Sequence, residues 1–267
     1  MRTTKSKLYL QRLRRLAVIF VFVCAWRSVF PNIYLSRMVL WDTPLSSILV
    51  ARLLATVAEV CWMAQLSLVL ARVNDDVAAV DGQATYGHAF VSASSHFILI
   101  AIPSAEVFSC IGTITTDSLW FMLEEGSWVI TMTAILPCSA FLVYRIHGQR
   151  CWLWNSSIRI FATLLLVLAL AYVPWGWTSD VTANYNRWQN ELAGNATFFT
   201  FSEGVKDAVQ TRNLDRALDS WRPYLLWLTA YMSAGVWTSL LLVEAPMDEE
   251  AEKVGRGMAG GAYGALA

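Results

Sequence analysis

Charge is what this 267-residue chain has least of. Only 15% of its residues are charged, against about 25% in a soluble globular domain. Hydrophobic residues make up 56%, and the mean hydropathy is +0.46. Such a chain has lipid as its main solvent, and its length leaves no room for a separate soluble catalytic domain. An excess of one sign is missing too. Lys plus Arg and Asp plus Glu number 20 each, so no uncompensated basic surface remains for a nucleic-acid partner.

Sequence motifs that name a reaction are also lacking. There is no GxSxG and no P-loop, which removes the common signatures of serine hydrolases and nucleotide-binding folds. His88, His96 and His147 lack HxxH, HxxxH or ExxH spacing, so no metal site and no cofactor is expected. Cys24, Cys61, Cys110, Cys138 and Cys151 show no CxxC spacing and fall in or beside apolar runs. They read as buried small hydrophobes.

What the chain has instead is long apolar runs. A hydrocarbon core about 30 Å thick needs roughly 20 apolar residues per helical crossing, and about six runs qualify. The expected fold is all-α, a polytopic transmembrane helical bundle with one interfacial amphipathic helix. Residues 1–15 carry Arg2, Lys5, Lys7, Arg12, Arg14 and Arg15 and no acid, a cytoplasmic basic flank to a first helix from Leu16 to Phe30 that Pro31 ends. Two other readings of this start stand beside it. One is a signal peptide cleaved after Ala25, and the other an organellar presequence, since no acid precedes Asp42.

Further spans are expected at 45–73, 89–113, 118–144, 152–175 and 223–243, with a polar loop at 74–87. Pro44 starts the second span, Pro103 is tolerated within the third, and Thr116 or Asp117 caps the fourth. Thirteen tryptophans, most at the ends of apolar runs, suit the headgroup layer. With the N-terminus inside, Arg145, His147, Arg150, Lys253 and Arg256 share its side, as the positive-inside rule asks. Both termini are then cytoplasmic, in a membrane that the sequence does not name; a mitochondrial or other organellar inner membrane fits the presequence reading. Residues 176–222 become a non-cytoplasmic loop whose second half, Ser202 to Trp221, has the spacing of an amphipathic helix on the membrane surface. The sequon at Asn195 lies outside and the one at Asn155 inside. The acidic, Gly/Ala-rich tail from 244 to 267 is expected to be disordered.

Function has to be sought among the charges that the spans enclose: Arg27, Arg52, Glu59, His96, Glu106, Glu124 and Glu125. A charge at the bilayer centre costs about 2.5 to 3.5 kcal/mol on insertion scales, so such residues pair, neutralise or face water. At about 1.5 Å per residue, Arg27, Arg52, Glu106, Glu124 and Glu125 fall in one layer, about 5 to 12 Å below the non-cytoplasmic ends of their helices. Arg52 and Glu59 share a helical stripe with Thr56, Glu106 with Cys110 and Thr113, and Glu124 with Trp128 and Thr131. Glu124 and Glu125 point about 100° apart, so one of them enters the cluster more readily than the other. Two arginines face four glutamates in this set, so two protons or a bound cation would balance it.

Three functional classes follow. In the first, Arg27, Arg52 and Glu59 bind a lipid headgroup or other charged ligand, and Glu106, Glu124, Glu125 and His96 supply acid–base catalysis on it. In the second, the glutamates relay protons or cations through a transporter, though no inverted repeat supports one. In the third, the chain is an accessory subunit whose partners are membrane lipids and other proteins of the membrane. Buried ion pairs that only fix helix packing explain the same residues without a ligand.

Overall fold

The computed structural model describes residues 2–82, 84–148, 156–194 and 196–244. Its order is helix α1 (Arg2–Val29), a hairpin of β1 (Asn32–Ile33) and β2 (Met38–Val39), then α2 (Ile48–Asp81), α3 (Tyr86–Thr115) and α4 (Ser118–Gly148). There follow α5 (Ser156–Trp175), a π-helical turn (Gly176–Val181), α6 (Thr182–Ala193), α7 (Phe201–Gln210), β3 (Asn213–Leu214) and α8 (Leu218–Glu244). The fold is an all-α bundle with a vestigial three-stranded sheet, in which β2 pairs antiparallel with β1 and parallel with β3.

Among the described residues, four helices are long and apolar enough to cross a membrane: Ile48–Ala79, Tyr86–Thr115, Ser118–Ile146 and Ile158–Ala193. A fifth appears if Leu218–Leu225 and Leu228–Glu244, bent by 42°, count as one span. Of about six expected spans, four or five thus pass on length and composition among the described residues, and α1 does not. Arg14, Arg15 and Arg27 confine its uncharged run to Leu16 through Trp26, about 16 Å of helix. It still belongs to the bundle. Leu13 and Phe20 are buried, and α1 packs against α2 and α8. Gln65 joins the three helices, donating to the carbonyls of Leu13 at 3.1 Å and Ser239 at 3.4 Å and accepting from the Ser239 hydroxyl at 2.6 Å.

Two loops turn out shorter than expected, because helix continued wherever a polar residue found a partner. Residues 74–81 extend α2: the Asn74 amide donates to the His88 carbonyl at 3.0 Å, and Arg72 pairs with Asp76 one turn on. Gly82, at φ 72°, ends the helix in the left-handed conformation that glycine adopts without strain. Residues 176–193 likewise carry α5 onward through the π turn into α6. There the Cα of Gly176 sits so close to Val129 of α4 that any side chain would collide. The amphipathic helix is confined to α7, while Leu218 to Trp221 already belong to α8.

Helix caps follow the local chemistry. The Asp117 carboxylate accepts from Leu119 N–H at 2.9 Å, capping α4 as expected. Thr200 and Glu203 form a reciprocal capping box on α7.

One end of the bundle carries a polar cap that α7 holds in place. Arg37, itself in the left-handed region at φ 54°, donates to Asp207 of α7 at 2.7 Å and to the Thr113 carbonyl of α3 at 2.8 Å. Gly204 of α7 lies directly against the Ile114 carbonyl. Arg212 pairs with Asp42 at 2.7 Å, and the Ser118 hydroxyl donates to Glu191 of α6 at 2.6 Å. The sequons at Asn155 and Asn195, Arg150, Cys151, Lys253, Arg256, the tail beyond Glu244 and the side chain of His147 lie outside the described residues.

Candidate functional site

Just beneath the polar cap, Arg52 gathers three carboxylates from three helices. Its Nη2 reaches Glu59 on its own helix at 3.0 Å and also bonds Glu106 of α3, while Nη1 lies 3.5 Å from Glu124 of α4. Seven residues separate Arg52 from Glu59, two helical turns, which is why one guanidinium can lie along the stripe to the second. Arg27, at the last turn of α1, approaches the far oxygen of Glu59 at 3.8 Å. All four partners of this core are buried: Arg52 3%, Glu59 8%, Glu106 1% and Glu124 7% exposed.

Two tyrosines complete the cluster. The Tyr34 ring lies 5.4 Å from the Arg52 guanidinium carbon and 6.0 Å from that of Arg27, within the range of cation–π attraction. Tyr231 of α8 donates its hydroxyl to Glu59 at 3.0 Å. Neither was anticipated from the sequence. Tyr34 follows Pro31 in a connecting segment, and Tyr231 sits in an apolar helix with no charge near it in sequence. Their one legible signal is a hydroxyl in or beside a span, which usually finds a partner when buried.

The expected residues divide into three groups. Arg27, Arg52, Glu59, Glu106 and Glu124 come together as one network. Glu125 stands apart from the pairs, and among the described residues it makes no hydrogen bond or ion pair, though it lines the same cavity as Glu124. His96 is not in the site. It is exposed on α3, its ring bonded to the Ser92 carbonyl of its own helix at 2.7 Å, about ten residues or 15 Å from Glu106 along the helix.

The cluster forms the polar end of a cavity of about 620 Å³ between α2, α4, α5 and α8. That volume lies within the roughly 300 to 1,000 Å³ usual for small-molecule pockets. Arg27, Arg52, Glu59, Glu124 and Glu125 line one end, whereas Glu106 lies behind Arg52, outside the lining. The remainder is mostly apolar, walled by Met63, Leu66, Met132, Phe161, Leu165 and Leu242 among others, with Thr238 and Glu244 among its polar groups. From Tyr172 back to Ile160 on α5 the lining extends over twelve residues, about 18 Å.

The cavity has a lateral mouth. Among the described residues, α5 and α8 barely touch, and Ile160, Leu164, Leu168 and Leu241 line the cavity while remaining 51%, 42%, 46% and 48% exposed.

One oxygen from each of Glu59, Glu106 and Glu124 lies within 4.8 Å of the others, the grouping among the described residues most like a cation site. The Arg52 guanidinium already supplies positive charge to all three. Cys24, Cys61, Cys110 and Cys138 are free, and three of them are buried as expected. Several apolar helices around a buried Arg/Glu cluster fit an integral membrane protein. No protein-family model, no characterised protein and no solved structure matches the chain.

Proposed function

We propose that this multi-pass membrane protein binds one lipid or lipid-like amphiphile, with its charged headgroup at the Arg/Glu layer and its chain along the apolar part of the cavity. The observation that carries this is the cavity's division into a charged end and a long apolar end with a mouth between α5 and α8. An amphiphile has the same division. Each buried methylene of its chain contributes about 0.8 kcal/mol, and the mouth gives access from within the bilayer.

In a catalytic version of this proposal, Glu124 and Glu125, which line the cavity, are the acid–base candidates. Glu106 then holds Arg52 in place from behind. In orientation, the end bearing Arg12, Arg14, Arg15 and Arg145 faces the cytoplasm, and the capped end faces away from it.

A second proposal, proton or cation transport, is favoured by the close carboxylates of Glu59, Glu106 and Glu124. Arg52 at their centre counts against it, because it opposes a cation there.

Purification from native membrane in a mild detergent, followed by mass spectrometry of retained lipids, tests the proposal. A lipid retained near one per chain is expected, and it should be lost in Ala234→Trp, which places a large ring where a small residue lines the cavity. Equal lipid in the two proteins would count against the cavity. Proton flux in vesicles that Glu59→Gln abolishes would favour the second proposal.

A further inference from the structure

We infer that the headgroup this cavity accepts is an ammonium, so that its ligand is a cationic or zwitterionic amphiphile presenting a positively charged nitrogen, not an anionic phosphate. The inference rests on the proposed amphiphile site and specifies its ligand.

Both arginines already face carboxylates. Arg52 divides its terminal nitrogens among Glu59, Glu106 and Glu124, and Arg27 turns to Glu59. The Tyr34 ring lies against both. Among the described residues the Nε–H of Arg52 is buried without a partner and Arg27 makes no hydrogen bond, its Nη1 lying 3.8 Å from Glu59, so an anion approaching either guanidinium would have to settle beside these carboxylates. In a water-poor site that repulsion is only weakly screened.

The carboxyl group left unpaired is that of Glu125. It lines the cavity without a hydrogen bond or ion pair among the described residues, and aromatic residues line the same cavity. Phe121 lies one helical turn before it and Trp128 one turn after, both on the face of α4 that lines the cavity, and Tyr172 of α5 lines the same space. An unpaired carboxyl group and aromatic rings lining one cavity are groups that recognise ammonium ions. The ring faces attract the cation through their quadrupoles, and the carboxylate supplies the opposite charge. No such arrangement favours a phosphate.

Charge balance points the same way. Two arginines stand against Glu59, Glu106, Glu124 and Glu125, an excess of two negative charges when all are ionised. An ammonium headgroup removes part of that excess, and a phosphate would enlarge it. The apolar lining toward Leu242 leaves room for a long alkyl chain below the headgroup.

The test uses the full chain purified in a neutral maltoside detergent and offered three probes with the same chain: hexadecyltrimethylammonium, hexadecyl phosphate and hexadecanol. Native mass spectrometry measures occupancy as each is titrated. The ammonium probe should bind about tenfold more tightly than the alcohol, with the phosphate weakest. Glu125→Gln should remove the advantage of the ammonium while leaving the alcohol unchanged. Trp128→Leu should reduce the ammonium more than the alcohol, which separates loss of recognition from loss of fold. If the phosphate binds best, if ammonium and alcohol bind alike, or if Glu125→Gln keeps the preference, the inference is overturned while the amphiphile site stands. If none of the three binds, the amphiphile site falls with it.

Discussion

Arg52 is the residue on which the interior depends most. It is 3% exposed and serves three carboxylates on α2, α3 and α4, so its removal leaves buried negative charge with no adequate partner. Breaking such a pair costs about 3 to 5 kcal/mol. Arg52→Ala should therefore lower the unfolding midpoint sharply in a detergent denaturation series. Arg52→Lys should recover only part of the loss, because one ammonium cannot reproduce the fork that spans Glu59 and Glu124. Adding Glu106→Gln to Arg52→Ala should restore some stability by removing one orphaned charge. A double-mutant cycle measures that coupling, and simple additivity would mean that Glu106 is not held by Arg52.

The gathering of these residues was legible from their spacing. Seven residues between Arg52 and Glu59 put both on one stripe, and their common depth put Arg27, Glu106 and Glu124 in the same layer. Glu125 was legible only as the partner turned away by 100°, and the structure gives that turn a destination in the cavity. His96 misled because a polar residue within a span suggests an inward face, whereas its ring bonds to its own backbone one turn back and needs no interior partner.

Among the elements, α7 is the small piece that closes the capped end. Its Gly204 rests on the Ile114 carbonyl with no space for a methyl group, so Gly204→Ala should push α7 off α3, at a cost of about 1 to 3 kcal/mol typical of overpacking. Faster hydrogen exchange in α7, with α2 to α4 unchanged, is the expected signature.

The capping box offers a second test. The hydroxyl and backbone N–H of Thr200 hold the Glu203 carboxyl below its ordinary value. Its stabilisation is thus complete above the unfolded value of about 4.3 and fades as pH falls through the lower folded one. Exchange in α7 should rise on acidification through that window in the native protein and be nearly independent of pH there in Glu203→Gln.

Element type could be read reliably from the long apolar runs, but element length could not. Hydropathy ends where polar residues begin, while a helix ends where its backbone loses partners. Asn74 and Asp76 found theirs, and α2 ran on to Asp81. The same blind spot hid α6, whose polar surface resembles a loop although Glu191 anchors it to Ser118.

At the scale of the whole molecule, two different kinds of packing coexist. The neighbours α2, α3 and α4 pack tightly in succession, whereas α5 and α8 stand apart and leave the mouth of the cavity between them. Composition announced a membrane protein but not this opening, because the apolar residues at the mouth, Leu164, Leu168 and Leu241, read in sequence like any lipid-facing residue. The difference between a wall and a doorway is one of tertiary arrangement. The central claim is that lipid enters this doorway and lodges at a defined site, and cross-linking in membrane vesicles with a photoactivatable long-chain lipid tests it most directly. Labelling concentrated on Leu164, Leu168 and Trp128, and abolished by Ala234→Trp, is the predicted result. Labelling spread equally over the exposed outer face of α3, at Ile100 and Val107, and unaffected by Ala234→Trp, would contradict it.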